Sequence, residues 1–240
     1  MTVPTCQTLR PAVGILMLDT RFPRIPGDIG NPESFPFPVR YAVVPQASPT
    51  RVVEEQAEGL FDAFVTAGRA LVREGVGGIT TSCGLLSLFQ DDLKAALGVP
   101  VAASSLMQVP FVDRLLPPGR RCGILTISSS ALTGAHLDAA GCARDTPVGG
   151  TEAGRVFTRA ILDNAPDFDV EAARADNVLA ARELVGRHPE VGAIVLECTN
   201  MAPYAADIAE VTGLPVYSIV SFVNWFHAGL APGRFPVPAT

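Results

Sequence analysis

The cysteine patterns that staple or metallate small proteins are missing. Five cysteines (Cys6, Cys83, Cys122, Cys142 and Cys198) are odd in number, widely spaced and never arranged as CxxC, which argues against a disulfide framework and a zinc knuckle. Reduced thiols in a reducing compartment follow. No Lys/Arg cluster occurs and the formal net charge is −6, so the field that a nucleic-acid backbone requires is lacking. Long apolar runs are absent too: the most apolar stretch, residues 99–112, is interrupted by Ser104, Ser105, Gln108 and Pro110 and is too short to span a bilayer. The first eleven residues carry one cation, Arg10, and no apolar centre, unlike a signal peptide. None of the three histidines has a partner at a metal-ligand spacing. The expectation is a cytoplasmic protein that binds neither nucleic acid nor membrane and holds no metal.

What is present suits a compact α/β chain: 240 residues, 48% hydrophobic and 18% charged, enough to bury a sizeable core. Glu54, Glu55 and Glu58 read as the solvated face of a helix.

The chain also repeats itself. VGILML at Val13–Leu18 resembles CGILTI at 122–127, and GVGGITTSCG at 75–84 resembles PEVGAIVLECTN at 189–200. LGVPV at 97–101 resembles TGLPV at 212–216. Cys83 and Cys198 are 115 positions apart, as are Gly98 and Gly213, whereas Gly14 and Gly123 are 109 apart; only intervening loops differ in length. In the first half, Ser48-Pro49 opens a helix whose apolar spacing continues to Gly75. A strand at 79–81 and a helix at 85–97 ending on Gly98 follow. The second half reads as helices at 151–162 and 170–188 with Asp169 as N-cap, a strand at 193–196, a helix at 203–212, a strand at 216–219 and a closing helix at 222–230.

Such alternation implies parallel sheets covered by helices. The expected fold is α/β with two similar lobes, each a mostly parallel sheet flanked by helices, related by a pseudo-two-fold axis with the active site between them. Residues 1–115, completed by 218–240, form the first lobe and 116–217 the second. Ligands of open parallel sheets gather beyond the carboxyl ends of the strands, where Cys83 and Cys198 both lie, so duplication places the two thiols face to face.

A thiol at a helix N-terminus is favoured as thiolate. Two thiols on opposite sides of one carbon can remove a proton and return it to the other face, without a cofactor. Thr81, Ser82, Thr199 and Asn200 supply hydroxyls and an amide beside each sulfur, and Gly84 permits close backbone approach. Cys122 in a strand, Cys142 at a helix end and Cys6 in the N-terminal arm read as structural. His188 reads as a helix cap; His136 and His227 fall in helices.

At these residues the chain resembles the aspartate/glutamate racemase superfamily, which includes glutamate, aspartate and hydantoin racemases, maleate isomerase and arylmalonate decarboxylase. Cys198-Thr199 matches the second cysteine motif, and Asp19-Thr20 stands where glutamate racemases carry Asp-Ser. The resemblance implies that Asp19 sets the cysteine protonation state or binds an ammonium group, and that Thr20, Ser82 and Thr199 bind carboxylate. It departs at Gly84-Leu85, where amino-acid racemases have Asn-Thr. It departs again at Glu197, which replaces Gly, and at Asn200, which replaces His or Glu and so removes the auxiliary acid or base expected beside the second thiol.

Arg21 and Arg40 flank a Pro/Gly-rich loop, 22–38, expected to serve as a lid. Either arginine is placed to clamp a second carboxylate, and Arg24 reads as a surface residue. The leading expectation is therefore a cofactor-independent racemase or epimerase, an isomerase, that inverts Cα of a small carboxylate, with Cys83 and Cys198 catalytic. A maleate isomerase-like or arylmalonate decarboxylase-like cysteine enzyme is the alternative. A non-enzymatic two-lobed binder of small anions is the second. The resemblance also implies a homodimer.

Overall fold

The computed structural model describes residues 11–233; Cys6, with the N-terminal arm assigned to it, lies outside the described residues. Strands β1 (Val13–Leu18), β2 (Val39–Val44), β3 (Gly78–Thr81) and β4 (Val101–Ala102) form one parallel sheet in the order β2-β1-β3-β4. Strands β5 (Arg121–Thr126), β6 (Val148–Gly150), β7 (Val191–Leu196) and β8 (Val216–Tyr217) form a second, β6-β5-β7-β8. The orders superpose term by term, and so does the register: Gly14 lies opposite Ile79 as Gly123 lies opposite Ile194. The two-lobed α/β architecture read from the internal repeat is the observed one.

Helices α1 (Pro49–Val53) and α2 (Phe61–Arg73) lead from β2 to β3, α3 (Gln90–Leu97) from β3 to β4, and α4 (Val109–Asp113) onward to β5. In the second half, α5 (Gly134–Ala139) precedes β6, α6 (Phe157–Leu162) and α7 (Val170–Arg187) precede β7, α8 (Ala205–Thr212) precedes β8, and α9 (Ile219–Leu230) closes the fold. Every residue of β1, β3 and β7 is buried, as expected of central strands in a twice-covered parallel sheet; the Thr80 and Thr81 hydroxyls of β3 donate to the Ala102 and Ala103 carbonyls. Because strand side chains alternate, Leu16 and Leu18 join a core that runs on through Leu106 and Val109 to Ile124 and Val195 of the second sheet. Val13, Ile15 and Met17 face the other way, onto Ile219, Phe222 and Val223 of α9. Among the described residues no helix is long and apolar enough to cross a membrane.

Several local assignments need correction. The helix expected from Ser48 to Gly75 is two helices, because Gln56, Ala57 and Gly59 take positive φ (53°, 56° and 71°), which no α-helix tolerates. Strand β2 occupies positions read as the end of a loop; only one of its six residues is buried, so it carries no apolar signature. The helix expected from Thr151 starts at Phe157, since the Asp176 carboxylate accepts the backbone N–H groups of Arg155, Val156 and Phe157 and holds the preceding segment as a loop beside β6. The closing helix begins earlier than expected, at Ile219, capped by Ser218.

Gly98 and Gly213 end α3 and α8 with the same left-handed backbone, φ 66° and ψ 18°. A Cβ at either position meets no atom within 4 Å, so only backbone strain opposes a side chain. We expect Gly98→Ala and Gly213→Ala each to cost about 1 kcal/mol in urea unfolding, equally at both sites.

Candidate active site

Both cysteines sit at the carboxyl end of a central strand. Cys83 follows β3 and opens a 3-10 turn, Gly84–Phe89, that continues into α3. Cys198 follows β7 and opens the turn Thr199–Tyr204 that continues into α8. Their side chains are 9% and 7% exposed and line one cavity of about 20 Å³, space for little more than a water.

The expected thiolate character does not follow. Burial, then the nearby Glu197 carboxylate, pushes both thiols well above their ordinary range, and the amides of Leu85 and Leu86 at Cys83 and of Asn200 at Cys198 offset only part of this. A short 3-10 turn aligns fewer peptide dipoles than the α-helix the sequence suggested, and desolvation prevails.

Of the other anticipated site residues, Thr20, Ser82 and Asn200 line the cavity. Asp19 and Arg21 are exposed at the mouth, where their backbones meet Asn164: Arg21 N–H donates to Asn164 Oδ1 (2.6 Å) and Asn164 Nδ2 donates to the Asp19 carbonyl (3.3 Å). Arg40 is exposed on the edge strand β2 and does not line the cavity. Thr81 and Thr199 are buried behind the loops. Their hydroxyls donate to the Ala103 carbonyl (2.7 Å) and the Ser82 carbonyl (2.6 Å), so Thr81 shapes the first cysteine loop and Thr199 ties the second lobe to it. Gly84 is required for packing, since a Cβ there would collide with the Glu197 carbonyl oxygen and Oε1.

The cation of the site is Arg24, read from the sequence as a surface residue. Its guanidinium lies over the Phe22 ring (4.4 Å), pairs with Asp28 (3.0 Å) and donates to Thr20 Oγ1 (2.6 Å). Asp28, 3% exposed, also accepts from Asn200 Nδ2 (2.6 Å), and Asn200 Oδ1 accepts from the Cys198 thiol (3.7 Å). A polar chain thus runs from Arg24 to the second sulfur. Thr20, Arg24 and Asp28 recur every fourth residue, but Pro23 and Pro26 between them rule out the helix that such spacing suggests. The segment expected to act as a lid packs as a wall of the site: Ile29 and Phe35 are buried, and Phe37 stacks on His227 of α9 (3.7 Å).

Glu197, read from the sequence only as a replacement for Gly, also belongs to the site. Its side chain is 1% exposed and lines the same cavity as both thiols. Thr126 Oγ1 donates to Oε2 (2.7 Å), while Oε1, against Gly84, makes no hydrogen bond. Burial raises the carboxyl to about 7 from its ordinary 4.5, against the opposing pull of the Thr126 hydroxyl and the Ile127 and Leu85 amides. A carboxyl group therefore stands one residue before the cysteine, while position 200 carries an amide.

No family model matches the chain. Among solved structures, arylmalonate decarboxylase superposes with a TM-score of 0.62 over 94% of both chains at 15% identity. Allantoin racemase from Klebsiella pneumoniae superposes at 0.61 over 91% of this chain and 87% of its own, at 18% identity. At such identities the likeness is one of fold.

Two curated proteins are nearer in sequence. A dimethylsulfoniopropionate lyase from Durusdinium sp. clade D is 28% identical over 231 residues, 91% of this chain and 74% of that protein. Dimethylsulfoniopropionate lyase 7 from Emiliania huxleyi (strain CCMP1516) is 29% identical over 240 residues, 92% of this chain and 67% of that protein. Both are named for a cleavage reaction. The racemase or epimerase expectation, and the isomerase class with it, is overturned by these relatives: a matching fold and two thiols did not identify the reaction.

Glu197 also carries a stability signature. Between 4.5 and about 7 the folded state holds a proton that the unfolded chain has released, so stability is full below the lower value and falls as pH rises through the upper one, by about 3 kcal/mol in all. Urea unfolding near pH 5 and near pH 8 should show this loss in the wild type, and Glu197→Gln should flatten the difference between the two conditions.

Proposed function

We propose that the chain is a divergent member of the aspartate/glutamate racemase superfamily that works as a lyase, eliminating a neutral thioether from a small sulfonium carboxylate of the dimethylsulfoniopropionate type. The observation that carries this reading is the likeness to two lyases of that name across 91% and 92% of the chain.

The site's chemistry is consistent with it. A base removes a proton from the carbon beside the carboxylate. The C–H electrons form the alkene, the bond from Cβ to the sulfonium breaks, and dimethyl sulfide and acrylate leave. The leaving group departs uncharged and needs no acid, so a single sulfur base suffices. Arg24 is the cation for the substrate carboxylate, with Thr20 and Ser82 as hydroxyl donors. Leu18, Phe22, Val53, Ile127 and Ile161 form an apolar wall suited to the S-methyl groups. With only about 20 Å³ free, substrate must part the cavity walls and draw Arg24 from Asp28 or Thr20.

Purified protein given dimethylsulfoniopropionate should release dimethyl sulfide, measured in the headspace, with an equal amount of acrylate. Replacing the thiol that acts as base, tested as Cys83→Ser and Cys198→Ser, should lower turnover about 100-fold or more. Arg24→Met should raise KM. Absence of dimethyl sulfide from the wild type would refute the assignment.

A further inference from the structure

The pseudo-two-fold relation fails at one position that matters for proton transfer. Ser82 and Glu197 are equivalent, each immediately before its cysteine at the common offset of 115. Ser82 Oγ accepts the Leu18 amide (2.9 Å). In the second lobe the Ile127 amide, equivalent to that of Leu18, acts on the Glu197 carboxylate in the same way. One lobe therefore presents a neutral hydroxyl beside its thiol and the other a carboxyl group.

That carboxyl lines the same cavity as both sulfurs, with Oε1 hydrogen-bonded to neither. Glu197 precedes Cys198, and its Oε1 crosses to lie against Gly84, the residue after Cys83. A larger residue at position 84 would close this approach. Oε2 is held by Thr126, whereas Oε1 is buried with no donor in hydrogen-bond geometry, a costly state for an ionised carboxylate. The titratable and charged groups around it are Cys83 on the first cysteine loop, Cys198 beside it, and Arg24 with Asp28 on the wall formed by the 22–38 segment. The last two pair with each other at 3.0 Å. Among the described residues, the polar groups it meets from the end of β5 and the turn before α4 are the hydroxyl of Thr126, the amide of Ile127 and the hydroxyl of Ser105, which donates to the Glu197 carbonyl (3.1 Å).

We propose that Glu197 is the proton acceptor for the reacting thiol, a role that rests on the elimination reading given above. Once substrate has parted the cavity walls and brought the thiol to Oε1, that oxygen takes the S–H proton and leaves a thiolate. The thiolate takes the Cα proton as the C–S bond breaks, which regenerates the thiol. Protonated Glu197 then releases its proton to solvent. One sulfonium carboxylate becomes one thioether, one alkenoate and one proton, with no oxidant or further reactant. Glu197 ionises at about 7, far below thiols that burial holds protonated, so the transfer is uphill and is drawn forward by loss of the leaving group.

The test is the pH dependence of kcat/KM for dimethylsulfoniopropionate in the wild type, Glu197→Gln and Glu197→Asp, with circular dichroism to confirm folding. The wild-type profile should rise through an inflection near 7. Glu197→Gln should lose that inflection and fall about 100-fold or more, and Glu197→Asp should keep a displaced limb with partial activity. A Gln variant with the wild-type profile would overturn the proposal. If the wild type proves inactive on this substrate at every pH, the functional reading fails by itself. The acceptor role is then decided by carbon-13 NMR of the side-chain carboxyls. A resonance titrating near 7, absent in Glu197→Gln and displaced in Cys83→Ser or Cys198→Ser, supports it. A Glu197 resonance titrating near its ordinary value, or indifferent to both cysteines, rejects it.

Discussion

Two thiols and a carboxyl group share a space of about 20 Å³, and the cost of placing charge there governs the rest of the site. Removed from water, each group favours its neutral form, and a charge on any one raises the cost of charging the others. The walls are built around that constraint. Arg24 and Asp28 enter as a pair, Asn200 joins them to Cys198, and Thr126 holds one oxygen of Glu197. The hydroxyls of Thr81 and Thr199 face backbone carbonyls and leave no orphaned donor beside the sulfurs.

Duplication creates that shared space, and one substitution breaks its symmetry. Parallel strands ending in cysteine loops face each other, closed by matched turns and matched left-handed glycines. Inversion at carbon calls for a competent base on both faces; elimination of a neutral leaving group calls for one. A hydroxyl at position 82 opposite a carboxyl at position 197 fits the second requirement better. The same fold hosts both kinds of chemistry, so the residues that break the symmetry say more about reaction class than those that preserve it.

Much of the fold was legible because it is periodic and apolar. VGILML and its partner announce buried strands, and the glycine of GxPV marks two helix ends at one offset. The missed elements lack such marks: β2 is half solvated, β6 is three residues ending in Gly-Gly, and the break at 54–60 depends on left-handed backbone at Gln56 and Ala57, which those residue types do not advertise. The cysteines could be read because they repeat. Arg24, Asp28 and Glu197 do not repeat, and their roles arise from tertiary contacts across tens of residues. Arg21 and Arg40 offered the same guanidinium to the sequence reading, yet both side chains are exposed; residue type without the path of the loop did not separate them from Arg24.

The central claim is that this cavity abstracts a carbon-bound proton in order to expel a leaving group and not to invert a centre. Proton NMR in D2O, with dimethylsulfoniopropionate in one sample and L-aspartate in another, tests it most directly. The account predicts vinyl signals of acrylate and the methyl signal of dimethyl sulfide growing together in the first, and an undiminished Cα–H signal in the second. Wash-out of the aspartate Cα–H, with the sulfonium compound left intact, would contradict it.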